Sequence, residues 1–384
     1  MISLDFRREI PHQINRTSRM IGLIGERGVG KTTIMLQKLE ESWSGLYFSA
    51  DTAMIKDVGL FKFAYYLYFE LWIYEIYVDE VHKYANRIEE MKNIYDSLPK
   101  MKVIFSGSSS LDLYKGMLDL LRRTDFYAVN PMNYHEYLQF FHQINIPTFS
   151  FLELLENYDK IAVQYWYLHR ETLFEDFLQK GQYPYIKNLE NTTFITKFQM
   201  LFDKVIIEDL PVFMNMQTVS LDKLRRLLYF IANNPPSELS FANLGKKIWI
   251  EKALVDNALT LLSKIWIITL VPKFWNLSDR VRKEHKIFLG NTNLYTAYNL
   301  DPDKWILREC FMASQLKRIK NAELFSPSQW DLIVEILDKV YHFEIWGKSK
   351  QAWKYDSQIY VVKDWIIVSN EKRTIPLWLF WLLK

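Results

Sequence analysis

Met20-Ile21-Gly22-Leu23-Ile24-Gly25-Glu26-Arg27-Gly28-Val29-Gly30-Lys31-Thr32-Thr33 joins an apolar run to a glycine-rich turn, and IMLQK follows it. Five apolar or small residues in a row suit a parallel strand buried on both faces, and the following segment suits a helix. Between them Gly25 to Thr32 spells G-x-x-x-x-G-K-[ST] in the required strand-to-helix setting. Glycines let backbone N–H groups turn inward around phosphates, Lys31 reaches the β and γ oxygens, and Thr32 offers a hydroxyl to Mg²⁺ at a helix N-terminus. The expected nucleotide-binding residues are Gly25, Glu26, Arg27, Gly28, Val29, Gly30, Lys31, Thr32 and Thr33.

Outward from this turn, Ile73 to Val78 reads as a second strand ending in Asp79-Glu80, 47 residues after Thr32. A phosphate-binding fold needs a Mg²⁺-ordering carboxylate beside a water-activating one at such a strand end, so Asp79 is expected at the metal with Thr32, and Glu80 at the attacking water. Met101 to Phe105 reads as a third strand, running into Ser106-Gly107-Ser108-Ser109-Ser110. Its hydroxyls, Ser108 or Ser106, are expected near the γ-phosphate because ligands collect at the carboxyl ends of parallel strands; Ser110 reads equally well as an N-cap. Leu46 to Ser49, ending at Ala50-Asp51, completes an alternation of strands and helices, hence a parallel sheet covered on both faces. Asp51 reads either as facing the site or as turn chemistry. Arg122-Arg123 reads as a charge pair that stabilises the transition state, with Arg123 the catalytic candidate, or as a solvated pair.

The chain has 384 residues, 49% of them hydrophobic and 24% charged, enough for several packed domains and incompatible with gross disorder. Its net charge of +3 gives no global attraction to nucleic acid. The single cysteine, Cys310, excludes an internal disulfide and suits a reducing compartment and the core. The histidines stand without metal-ligand spacing, so no zinc site is expected. No apolar run reaches membrane-spanning length, and a cytoplasmic protein is expected.

GERGVGKTT, YVDEVHKYANRIEEMKNIYDSLPKMKVIFSGSSSLDL, LLRRTDFYAVNPMNYHEYL, FEDFLQKGQYPYI, FEIWGKSK and TIPLWLFWLLK together resemble one family. It is the prokaryotic AAA-type ATPases of the AAA+ superfamily, in which a P-loop domain precedes a winged helix and a C-terminal domain of restriction-endonuclease-like fold. The resemblance covers nearly the whole chain. It implies an α/β fold: an AAA-type P-loop parallel sheet, then a helical and winged-helix region, then a small α/β domain. It also implies ATP and Mg²⁺ as ligands, with Lys31, Thr32, Asp79 and Glu80 at the Walker positions and Ser108 near the sensor position. Adenine as the base comes from the resemblance alone. Gly181-Gln182-Tyr183-Pro184 resembles a GGYP turn of the family, departs from it at Gln182, and reads as structural.

The expected boundaries are 1–135 for the P-loop domain, 136–212 for a helical lid, 213–292 for the winged helix and 293–384 for the nuclease-like domain. Aromatic residues in FLELLENYDKIAVQYWYLHRETLFEDFLQKG read as a packing stripe. Leu221 to about Asn291 reads as LDKLRRLLYFIA, ELSFANLGKKI and IEKALVDNALTLLSKI helices followed by two strands, the order of a winged helix-turn-helix. Leu221–Gly290 holds 12 Lys/Arg against 6 Asp/Glu, a local excess of +6. Lys246, Lys247, Lys252, Arg280, Arg282 and Lys283 are therefore candidate phosphate contacts to double-stranded DNA; a lid or protein-contact role for the segment is the alternative. Asp331, Glu344 and Lys348 invite comparison with an Asp…Glu-x-Lys metal-nuclease site, although Lys348 stands four residues after Glu344 rather than two. Glu309 reads as a further acidic member of such a site, or as a surface or packing carboxylate. The functional expectation is Mg²⁺-dependent ATP hydrolysis working as a conformational switch on DNA or a protein partner. The alternatives are a nucleotide-gated DNA binder with slow hydrolysis and an ATP-regulated nuclease.

Overall fold

The first strand, β1 (Met20–Ile24), is buried at all five positions, as its apolar run requires. The structure is a computed structural model. It describes residues 6–384 apart from 16, 108–117, 190, 210–220, 237, 250, 274–283, 300, 328–330 and 347–358. β2 (Gly45–Ser49), β3 (Glu75–Asp79), β4 (Lys102–Gly107) and β5 (Asp125–Ala128) join β1 in one sheet of order β2-β3-β4-β1-β5. Every pairing is parallel, so the alternation of strand and helix legible in the sequence is realised. Leu23 registers with Ser106, Ile24 with Ala128 and Ser49 with Asp79, which brings the carboxyl ends of all five strands to one edge. On one face Met20, Ile76, Val78, Val103 and Phe105 pack against Leu60, Ala64, Met91 and Ile94 of the crossover helices.

The chain divides into two compact units. One contains residues 1–131 together with Tyr183–Tyr185; the other contains Met132–Gln182 and Ile186–Lys384.

In the second unit, helices Tyr134–His142, Phe151–Tyr165, Glu171–Lys180 and Asn191–Lys204 lead into helix Leu221–Ala232. Then come β6 (Glu238–Ser240), helices Phe241–Ile248 and Lys252–Lys264, β7 (Ile268–Pro272) and β8 (Glu284–Leu289). β6, β8 and β7 form an antiparallel sheet in that order. The helix expected from Glu238 thus begins only at Phe241, because Glu238–Ser240 pair with Glu284–Lys286 and satisfy the edge of β8. Fully buried Asn293 holds the end of helix Glu171–Lys180: its amide donates to Phe177 O at 3.0 Å and Leu178 O at 2.8 Å, carbonyls that a helix end leaves unpaired.

After helices Thr292–Tyr298 and Lys304–Lys317, a mixed sheet runs β13-β12-β11-β10-β9, comprising β9 (Ala322–Phe325), β10 (Leu332–Ile336), β11 (Lys339–Trp346), β12 (Ile359–Lys363) and β13 (Thr374–Pro376). Cys310 is in the core. The terminal turn Leu377–Leu382 is buried throughout. Its Trp381 ring lies 4.3 Å from Phe174 and 4.8 Å from Tyr134, and stacks on His169 at 5.4 Å. Part of the aromatic stripe packs there, while Trp166 and Tyr167 are exposed. Among the described residues no helix is long and apolar enough to cross a membrane.

Trp381→Ala should destabilise the second unit by about 3–5 kcal/mol, the ordinary cost of truncating a large core aromatic, and Trp166→Ala by under about 1 kcal/mol. Urea unfolding of the two variants checks this.

Candidate nucleotide site

Gly25 leaves β1 so close to β5 that a Cβ there would stand 2.2 Å from Val129 O. Gly28 and Gly30 take positive φ of 83° and 99°, the left-handed conformations that let the loop close before helix Lys31–Glu40. Lys31 folds back within the loop, and its Nζ donates to Gly25 O and Glu26 O, each at 2.8 Å. Burial pulls the Lys31 pKa down to about 8, against the opposing pull of Glu80, Asp79 and Glu26. Arg8, buried, donates to Val29 O at 2.9 Å and Asn130 O at 2.8 Å, tying the loop to the chain after β5. Val29 and Glu26 are buried, whereas Arg27, Thr32 and Thr33 are half-buried.

Asp79 is the hub of the site. Its Oδ2 accepts from Thr32 Oγ1 at 2.7 Å and from Tyr47 Oη at 2.8 Å. Its Oδ1 accepts from the Glu80 amide at 3.0 Å and from Ser106 Oγ. Burial pushes the carboxyl up, but the bonds from Ser106, Thr32, Tyr47 and the Glu80 amide outweigh it and hold the pKa below the usual carboxylate range. Glu80 sits at φ 55°, a left-handed turn off β3, and its Oε2 lies 3.3 Å from His82 Nε2 and 3.5 Å from Lys83 Nζ. Asp51 pairs with Lys56 at 2.7 Å and Lys83 at 2.9 Å, and these bonds lower its pKa to about 2. It is one ion pair removed from Glu80, so both readings of Asp51 hold in part.

The loop, Thr32, Asp79, Glu80 and Ser106 are therefore brought together. Ser108 lies outside the described residues. Arg123 is not brought to them within this chain: its guanidinium grips Asp96 at 2.9 and 3.0 Å, two residues before β5 begins, at the amino-terminal edge of the sheet. Arg122 is exposed beside it. Three contributors escaped the sequence reading. Tyr47 reaches Asp79 from the neighbouring strand, Arg8 clamps the loop from the chain's start, and Tyr183 donates to the Glu26 carboxylate across 157 residues of sequence. Tyr183 is fully buried, and Pro184 Cγ lies 3.8 Å from where a Cβ on Gly30 would stand. The GQYP motif was the available signal for this contact, which gives that turn a place at the loop.

The C-terminal carboxylates are engaged differently. Asp331 precedes β10, and its Oδ2 accepts from the Ile345 amide at 2.8 Å. Lys286 Nζ lies 2.7 Å from Glu309 and 3.7 Å from Asp331. Glu309 is fully buried rather than on a helix surface; burial raises its pKa to about 8, with Lys286 opposing and Asp331 reinforcing the rise. Lys348 lies outside the described residues. Among the described residues no three His, Cys, Asp or Glu side chains are grouped to hold a metal. Lys286, counted in the sequence as part of a basic segment, is a buried ion-pair partner and adds nothing to a basic surface.

Residues 17–138 match the AAA domain. An AAA domain suggests a nucleotide-binding ATPase. Residues 171–304 match a domain of unknown function, DUF8612. Over 290 residues the chain is 28% identical to the uncharacterized protein MJ1637 of Methanocaldococcus jannaschii, a match that covers 71% of this chain and 61% of that one. The chain thus spans less than two thirds of that relative's length. Similar solved structures include AMPPCP-bound DnaA from Aquifex aeolicus, with 12% identity and a TM-score of 0.29 over 66% of this chain and 84% of that one. Another is the S. cerevisiae Hsp104–ADP complex, with 14% identity and a TM-score of 0.30 over 66% of this chain and 38% of that one. Overlays that loose carry no weight beside the match over residues 17–138.

Two outcomes follow from the buried charges. A phosphate chain binds the charged form of Lys31, so above pH 8 nucleotide binding should take up a proton, and affinity should fall by up to about tenfold per pH unit. At pH 7, where only about a tenth of Lys31 is neutral, the uptake should be slight; calorimetry in buffers of different ionisation enthalpy separates the two regimes. Lys286→Met leaves the Glu309 carboxyl, which burial holds mostly neutral at pH 7, without its partner and should cost about 1–3 kcal/mol, with Lys286→Met/Glu309→Gln departing from additivity, as read by urea unfolding.

Proposed function

We propose that the protein hydrolyses ATP with Mg²⁺ and uses the change of nucleotide as a conformational switch. The observation that carries this reading is the 2.7 Å contact between Thr32 Oγ1 and Asp79 Oδ2, with Glu80 as the next residue. Two hard oxygen donors side by side fit a magnesium ion, and the left-handed glycines before helix Lys31–Glu40 fit a phosphate cradle. Thr32 and Asp79 would hold Mg²⁺, which neutralises charge on the β and γ phosphates when bound.

Lys31 exchanges its two loop carbonyls for phosphate oxygens. Glu80 accepts a proton from water as the water oxygen bonds to the γ phosphorus and the bond from that phosphorus to the bridging oxygen breaks, releasing ADP and inorganic phosphate. His82 and Lys83 hold the Glu80 carboxylate from one side.

For the partner, a second reading has its own support. The order of helices and strands from Leu221 to Leu289 agrees with the expected winged helix, and Lys246, Lys247 and Lys252 are exposed on this segment, as contacts to DNA phosphates require. Arg280, Arg282 and Lys283 lie outside the described residues. Asp331 and Glu309 share Lys286, an arrangement of ion-pair partners rather than of metal ligands.

Glu80→Gln should reduce steady-state phosphate release from Mg·ATP by at least about a hundredfold while ATP still binds, and Lys31→Ala should abolish binding. Wild-type turnover in Glu80→Gln would overturn the assignment of the base. Release that rises with added duplex DNA, and stops rising in Lys246→Glu/Lys252→Glu, would support DNA as the partner.

A further inference from the structure

The second unit contains an open cleft of about 700 Å³, separate from the phosphate loop, between helices Asn191–Lys204 and Leu221–Ala232 and the end of helix Phe241–Ile248. We propose that this cleft binds a nucleoside phosphate, with the base stacked on an exposed aromatic ring and the phosphate against the cleft's cations.

Its cations exceed the anions that face them. Arg225 is held by Asp203 through bonds of 3.0 and 2.6 Å, and Arg226 pairs with Asp222 at 2.9 Å while remaining largely exposed. Lys247 has no carboxylate partner among the described residues; its Nζ lies 5.7 Å from the Phe230 ring centroid. A positive charge is therefore left on the cleft wall.

The aromatic residues are placed at a cost. Trp249 is 90% exposed and Tyr229 60% exposed, two large rings offered to solvent on one cleft. Trp249 also adopts φ 60°, the left-handed region that a bulky side chain disfavours, so the turn sets an indole outward against both hydrophobicity and backbone preference. Such departures concentrate at binding sites.

A flat ring and an anion in one ligand satisfy both features, and a nucleotide combines them. Its source is either a free mononucleotide or a nucleotide within a single strand. The proposal rests on neither the P-loop nor the ATPase reading.

The 384-residue chain carrying Lys31→Ala, which disables its phosphate loop, is titrated with AMP by equilibrium dialysis and with a fluorescein-labelled 12-mer of single-stranded DNA by anisotropy. Saturable binding of one or both is expected: AMP alone identifies a free nucleotide, and the oligonucleotide identifies a strand. Trp249→Ala and Lys247→Ala, both at exposed positions, should each weaken that binding about tenfold, the range of one stacked base. Binding of neither probe, or binding that both substitutions leave unchanged, would overturn the proposal, as would a labelled hairpin duplex bound as tightly as the single strand and indifferent to Trp249→Ala.

Discussion

The Asp79 carboxylate is the point on which the nucleotide site depends. Thr32 comes from the helix after the loop, Tyr47 from β2, Ser106 from β4 and the Glu80 amide from the turn just after β3, and all four donate to one side chain. A buried carboxylate without those donors would be driven toward its neutral form; with them it stays ionised and fixes the spacing of three strands and a helix. The parallel register makes this meeting possible, since the strand residues stand toward the carboxyl ends of β2, β3 and β4 and Thr32 stands at the amino end of the helix that follows β1. One carboxylate thus serves as both structural clasp and candidate metal ligand, and the two duties are compatible because both call for a charged oxygen.

Local features of the sequence carried this region. The turn from Gly25 to Thr32 is contiguous, and Asp79-Glu80 ends an apolar run, so period and spacing suffice to find them. Tyr47, Arg8 and Tyr183 were not legible, because each acts across a fold that joins residues 32, 21 and 157 positions apart. Charge counting failed for a related reason. Lys286 raised the basic total of its segment, yet it is spent on a buried carboxylate that the sequence left between surface and interior. A sum over residues has no knowledge of which side chains leave solvent.

Polar anchoring by distant partners recurs in the second unit. Asn293 closes the end of a helix more than a hundred positions earlier, and the terminal tryptophans complete an aromatic cluster begun at Tyr134. In both cases the last part of the chain finishes what earlier segments leave open. Such closures raise the sequence separation of the stabilising contacts, which slows folding relative to a chain built of local pairs.

The return of Tyr183–Tyr185 to the phosphate-loop unit has a consequence for modularity. Cutting the chain after Pro131 would yield a piece with every strand of the parallel sheet and all the loop glycines, yet without the phenol that donates to Glu26, a side chain only 5% exposed. The sheet is contiguous in sequence, but the loop it supports is not. An excised sheet would keep its scaffold and lose a strut of its own loop, so this unit is not a cassette that recombination can lift out in one piece.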